Sequence, residues 1–240
     1  MNDEKIEHFL SQRTPYSRRE IFEAIRTKEV IVNGKIVMKM GKLINPFTDK
    51  VSLFGTPIQS KVKKQTLKFY KPKNIISTFK DPKGRPDLST FTNTLKTPLF
   101  PVGRLDRHTT GLLIFTNDGQ LANTLLHPKF VIEKHYKVTL QTPLKDQDIS
   151  KLTSGFFLED GPFKATHVEV IDKTTLILVI TEGRNRIIRR AFEALKNTVI
   201  KLHRFQMGPI SLDKQRSGEF KPLSKTEQDF ISDLMSDHSP

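Results

Sequence analysis

Three short stretches of this 240-residue chain gather the side chains whose types and spacing could do chemistry. Gly103-Arg104-Leu105-Asp106 leads into an apolar run, Leu112-Leu113-Ile114-Phe115. Glu133-Lys134-His135-Tyr136-Lys137-Val138 reads as a strand with one tyrosine among charges. Glu182-Gly183-Arg184-Asn185-Arg186-Ile187-Ile188-Arg189-Arg190 reads as a glycine turn leading into a helix rich in arginine. A carboxylate entering an apolar run costs several kcal/mol, roughly, unless it is paired or hydrogen-bonded. Asp106 therefore needs a partner or a use. An arginine from the third stretch, brought beside it, would keep the carboxylate ionised by lowering its pKa. Spacing alone equally allows Asp106 to be a turn residue and the arginines a solvated helix face.

The elements that must position these stretches follow from periodicity. Beyond residue 65, segments 67–70, 75–79, 99–102, 112–116, 135–140, 167–171, 176–181 and 199–205 read as strands. Segments 120–126, 146–153, 185–195 and 225–235 read as helices, the last one packed down by Phe230, Ile231 and Leu234. A strand-rich order without regular βαβ repeats favours an α+β fold on a mixed sheet.

Residues 4–10 and 17–26 read as two short helices, the second opening on Ser17-Arg18-Arg19-Glu20, the spacing of a capping box. Val30-Ile31-Val32-Asn33-Gly34-Lys35-Ile36-Val37 has two β-branched runs around Asn-Gly, a strong hairpin signal. Arg18 and Arg19 stand in a helix's first turn, where the macrodipole disfavours cations. With Lys28, Lys35 and Lys39 close behind, a phosphate site explains them better than a solvated pair. Ser60 to Gln65 reads as a polar, basic linker, dividing the chain into residues 1–59, the linker 60–65 and residues 66–240.

Forty Lys and Arg against 26 Asp and Glu give a net charge of +14. Residues 1–65 carry 13 basic and 7 acidic side chains, so both parts of the chain are basic. Such an excess attracts polyanions through counterion release, and nucleic acid is favoured over a membrane surface. Three Tyr and no Trp argue against a surface built mainly on aromatic stacking. The absence of cysteine excludes disulfides, thiol catalysis and zinc–thiolate sites. No dinucleotide or phosphate-loop glycine pattern and no metal-binding histidine spacing is present, so no cofactor is expected. The first residues resemble no signal peptide, and the apolar runs are far shorter than the ~20 residues of a membrane span, so a cytoplasmic location is expected.

Taken together, the three stretches resemble the pseudouridine synthases, in particular the branch acting on bacterial ribosomal RNA. In that family the GRLD segment, followed by T-x-GLLL-x-TNDG and here by Thr109-Thr110-Gly111-Leu112-Leu113-Ile114-Phe115-Thr116-Asn117-Asp118-Gly119, carries the catalytic aspartate, which Asp106 matches. Its EK-x-Y-x-V strand carries an active-site tyrosine, matched by Tyr136, and its EGRNR helix carries an arginine paired with the aspartate, which falls on Arg189. Residues 1–59 resemble the small RNA-binding domain of ribosomal protein S-four. The resemblance implies a catalytic domain on a mixed, mainly antiparallel sheet, ribosomal RNA or a pre-ribosomal particle as partner, and a monomer. The 102–106 and 121–128 contexts look more like the large-subunit enzymes. Two departures stand out: Asn74 replaces the glycine of a KP-x-G turn, and Ile187-Ile188 replace Gln-Val.

The implied reaction breaks the bond from uracil N1 to ribose, turns the base and rejoins it through C5. Asp106 would act as nucleophile or base, with Arg189 making its charge tolerable. Tyr136 would stack on the freed base, and the apolar run after Asp106 would shield it from water. Arg104 would hold a phosphate or fill the space left by the target base, or brace its own loop. Arg18, Arg19, Lys28, Arg184 and Arg186 complete the expected RNA contacts. A non-catalytic ribosome-assembly factor on the same scaffold is the main rival, and an RNA N-glycosidase the weaker one.

Overall fold

A computed structural model describes residues 3–14, 16–59, 63–95 and 97–236. The chain forms two units, Met1–Gln65 with Leu95–Phe100 and Asn117–Gly119, and Thr66–Thr94 with Pro101–Thr116 and Gln120–Pro240.

In the first unit, β1 (Glu4–Lys5) precedes α1 (Ile6–Arg13), so the expected first helix starts two residues late. Those two residues are instead paired with Leu43–Ile44, and the Glu4 carboxylate meets Arg13 at 3.1 Å. α2 (Arg18–Arg26) has its capping box: Ser17 N–H donates to Glu20 Oε2 at 2.7 Å, and Glu20 N–H to Ser17 Oγ at 3.3 Å. β2 (Val30–Val32) and β3 (Lys35–Ile36) are joined by Asn33 and Gly34, both at positive φ as a two-residue hairpin turn requires. β4 (Leu43–Ile44) is the partner of β1, and β5 (Val51–Leu53) and β6 (Thr56–Ile58) complete a sheet of order β3-β2-β5-β6. Ile6, Phe9, Leu10, Ile21, Val30 and Val51 close a small core. Of the expected linker, residues 60–62 lie outside the described residues. Residues 63–65 are held, with Gln65 N–H donating to Asn117 Oδ1 at 2.8 Å and Asn117 Nδ2 to the Lys63 carbonyl at 3.0 Å.

The second unit is built on β7 (Thr66–Lys71), β8 (Phe100–Val102), β9 (Thr110–Thr116) and β10 (Lys134–Leu140), with α3 (Ser89–Thr92) and α4 (Gly119–Leu126) between them. After α5 (Asp146–Ser154) come β11 (Phe156–Leu158), β12 (Gly161–Phe163), β13 (His167–Val170) and β14 (Thr175–Ile180). α6 (Ile187–Ala194), β15 (Val199–Met207), β16 (Ile210–Ser211), β17 (Phe220–Pro222) and α7 (Lys225–Ser236) end the chain. The main sheet has the order β13-β14-β10-β15-β9-β7-β17, with β16 on β15 and β8 on β9. Every pairing along that order is antiparallel except β9 with β15, so the sheet is mixed and mainly antiparallel. α7 lies half-buried through Phe230, Ile231 and Leu234, and its buried Glu227 pairs with Lys68 at 2.8 Å. Among the described residues no helix is long and apolar enough to cross a membrane.

Two expectations change. Residues 75–79 make no strand; one isolated bridge, Ile76 to Asp87, is all the ladder they form. Ser77 braces the Asp106 loop through Leu105 instead, while the backbone groups of Ile76 and Thr78 pair with Pro86 and Leu88. The arginine-rich helix starts at Ile187 rather than Asn185, because Arg186 sits in the left-handed region at φ 49°.

Candidate active site

Asp106 lies in a loop held at both ends by residues around the expected KP-x-G turn. Lys71, fully buried at the end of β7, donates to the carbonyls of Pro72 at 3.0 Å and Thr109 at 2.9 Å. Asn74 adopts φ 68°, so asparagine does serve where the family places glycine, and its N–H donates to the Arg107 carbonyl at 2.7 Å. Ser77 Oγ donates to the Leu105 carbonyl at 2.8 Å and accepts from Leu105 N–H at 3.1 Å. The Thr109 N–H closes the loop onto the Asp106 carbonyl at 3.0 Å. Burial pushes the Lys71 ammonium down to about 8, and the charge of Asp106 opposes that shift.

Arg189, on the first turns of α6, brings its Nε to 4.0 Å from Asp106 Oδ2. Its Nη1 donates to the Val199 carbonyl at 2.8 Å, which fixes the guanidinium, while Nε and Nη2 are buried without an acceptor. Burial and the nearby Arg186 hold Arg189 below its usual range, and Asp106 opposes them. An unmet buried donor costs about 1–3 kcal/mol, more for a charged group. These N–H groups are therefore poised to tighten on a carboxylate, as catalytic hydrogen bonds commonly do on substrate binding. The side chain of Asp106 is 29% exposed, so its desolvation is far from complete.

Asp106 and Tyr136 line one cavity of about 120 Å³, with Arg104, Thr109, Lys134 and Arg204. Its apolar wall comes from Leu105, Leu126, Ile187, Ile188 and Leu202. The run Leu112–Phe115, expected to be that wall, is instead fully buried in β9. Ile187 and Ile188, the departure from Gln-Val, supply apolar lining.

Arg104 is exposed at the rim. Arg184 also reaches the rim, but its guanidinium is shared between Glu182 at 2.6 Å and Asp160 at 2.8 Å. Asp160, in the β11–β12 turn, takes Arg190 as well at 2.7 Å, so one carboxylate ties that hairpin to the start of α6. Arg186 is exposed and stands 3.7 Å from Glu193. In the first unit Arg18, Arg19 and Lys28 are all exposed.

Four residues of the site escaped the sequence reading. Lys71 was visible only as part of a turn motif. Lys134 alternates with Tyr136 and Val138 on the buried face of β10, and an inward lysine in such an alternation was a usable signal. Its Nζ donates to the carbonyls of Ile132 at 3.0 Å and Thr181 at 2.7 Å, and burial, then Arg204, push it down to about 8. Arg204 alternates likewise with Leu202 on β15; its Nε donates to the Leu112 carbonyl at 2.9 Å and its Nη2 is buried without an acceptor. Thr109 Oγ1 is buried without a partner too; this threonine opens the T-x-G segment of the motif, but nothing in the sequence assigned it a task.

Residues 65–194 match the family described as RNA pseudouridylate synthase. The chain belongs to that family. The synthase is 35% identical over 230 residues to the ribosomal large subunit pseudouridine synthase B of Bacillus subtilis, covering 93% of each chain. It is 33% identical over 226 residues to the ribosomal small subunit pseudouridine synthase A of Yersinia pestis, covering 93% of this chain and 96% of the other. A crystal structure of a pseudouridylate synthase aligns over 96% of this chain and 99% of its own, with a TM-score of 0.68 and 30% identity. The chain is thus an RNA pseudouridine synthase, an isomerase of uridine in RNA.

Proposed function

We propose that the synthase converts one uridine of ribosomal RNA, in the large subunit, into pseudouridine. The observation carrying this reading is Asp106, 4.0 Å from Arg189, lining one cavity with Tyr136. Asp106 attacks C1′ of the target ribose or removes a ribose proton, and Arg189 holds its charge and orientation. Tyr136, 7% exposed and set in the main core, offers a rigid ring face for the detached base. The wall of Leu105, Ile187, Ile188 and Leu202 keeps water from the sugar while the bond is open. The target must leave its stack to enter, and Arg104 and Arg186 at the rim are placed to meet its phosphates.

The first unit acts as an RNA-binding domain like that of ribosomal protein S-four, supported by two helices followed by a hairpin and by exposed Arg18, Arg19 and Lys28. The large-subunit assignment is favoured by the 102–106 and 121–128 contexts and by similarity to the large-subunit relative. Mapping pseudouridine across ribosomal RNA from a strain lacking this gene tests both. Loss of one site in the large-subunit RNA is expected, restored by the wild-type chain but not by Asp106→Asn. Loss confined to small-subunit RNA would overturn the subunit assignment, and no loss at all would overturn ribosomal RNA as substrate.

A further inference from the structure

Two polar groups lining the cavity have no task in the chemistry assigned to Asp106, Tyr136 and Arg189. Arg204 is 5% exposed, carries an Nη2 without an acceptor, and is the direct register partner of Tyr136 across β10 and β15. Thr109, 1% exposed, lines the same cavity and has a buried Oγ1 without a partner. Lys134 lies two residues before Tyr136 on the same face and adds a second cation. Direct register partners stand side by side on one sheet face. A base stacked on the Tyr136 ring thus has its edge beside Arg204.

We propose that Arg204, with Thr109 beside the same cavity and Lys134 as the second cation, receives a carbonyl oxygen of the uracil as the glycosidic bond opens. The inference rests on the uridine isomerisation stated above. When C1′–N1 breaks, the electron pair leaves with the base, and the uracil becomes an anion with its charge over N1, O2 and O4. Asp106 balances the sugar side, as an ester at C1′ or by holding the proton it removed. The charge is discharged when C5 bonds to C1′ and the C5 proton passes to N1. A buried guanidinium with a free N–H, fixed in advance by its bond to Leu112, stabilises such an oxyanion without reorganising. The other oxyanion within reach of this chemistry is a phosphate of the target nucleotide, and the test separates them.

Single-turnover conversion at saturating RNA and Kd at several salt concentrations are measured for wild type, Arg204→Gln and Arg204→Lys. The expected result is a fall of ~10²–10³-fold in the Arg204→Gln rate, with Kd and its salt slope unchanged. Arg204→Lys, keeping the charge, recovers part of the rate. A Kd that weakens together with a flatter salt slope would assign Arg204 to a phosphate and overturn the inference, as would an unchanged rate. Should Arg204→Gln lose its thermal transition, a substrate-side measurement decides. An RNA with a neutral methylphosphonate at the target's phosphate is converted by the wild type and Arg204→Lys, and the two substitutions should be additive in Kd. Coupling between them overturns the inference. A wild-type chain inert on ribosomal RNA sinks the proposed function, whereas an active wild type with an equally active Arg204→Gln sinks this inference alone.

Discussion

Arg189 Nε stands 4.0 Å from Asp106 Oδ2, close enough for ion pairing and too far for a hydrogen bond. The arginine is anchored through Nη1 to the Val199 carbonyl, so closing the gap falls to the Asp106 loop. Arg189→Ala should lower kcat by ~10²–10³-fold with a smaller effect on KM. Arg189→Lys should restore little, since a point charge loses the fixed fork that reaches both Val199 and Asp106. Steady-state kinetics on a ribosomal RNA fragment provides the check, and a change confined to KM would remove Arg189 from the reaction.

Asp106→Asn should abolish isomerisation while leaving the fold and RNA affinity intact. The amide keeps the shape but cannot serve as nucleophile or base. Pseudouridine analysis beside a binding titration reads both halves of this expectation.

Lys71→Met should loosen the Asp106 loop, lowering kcat, because the Thr109 and Arg107 carbonyls lose their donor. It should also change how stability varies with pH. The buried ammonium titrates near 8, below the ordinary lysine value, so between about pH 8 and 10.5 the unfolded chain binds more protons. Unfolding free energy therefore rises with pH across that window on account of Lys71. Urea melts at pH 7.5 and 10 should show wild type gaining on Lys71→Met, and equal gains in both would refute the assignment.

Gly111→Ala should cost at least ~2 kcal/mol of stability. Gly111 has φ 115°, and a Cβ there would lie 2.1 Å from the Arg204 carbonyl oxygen. This glycine lets β9 and β15 run in contact, and thermal melting of the variant measures what that contact is worth.

Arg18→Gln combined with Arg19→Gln should weaken RNA binding and reduce the salt slope by up to ~0.7–0.9 for each lost phosphate contact. The capping box of Ser17 and Glu20 keeps α2 intact in this variant, so circular dichroism should not change. An unaltered slope would take these two arginines out of the RNA interface.

The sequence made legible whatever rests on local chemistry. The capping box at Ser17, the hairpin at Asn33-Gly34 and the alternating strands all form, because each is decided within a few residues. Asp106 lines one cavity with Tyr136 and stands 4.0 Å from Arg189. What stayed hidden depends on distant partners. Residues 75–79 have strand composition but spend their polar groups on Leu105, Pro86 and Leu88. Arg184 looked like an RNA contact, yet Asp160, 24 residues earlier, and Glu182 engage it. Arg186 breaks the helix start by a backbone conformation that no side-chain pattern announces. Thr109 and Arg204 gain meaning only from the cavity they face.

The parallel pairing of β9 with β15 has a consequence for how the synthase is made. Its partners, Gly111 and Arg204, are 93 residues apart, with β10 to β14 between them in sequence. Closing so long a loop is entropically slow, and contacts of this kind form late in folding. Asp106 precedes the first of these strands, whereas Arg189 and Arg204 arrive only with the last third of the chain. A growing chain thus carries all residues of its basic first unit, the last of them by residue 119, well before it owns a site able to act. On the role proposed for the first unit, RNA binding precedes catalytic competence during synthesis, an order written into the strand sequence of the sheet.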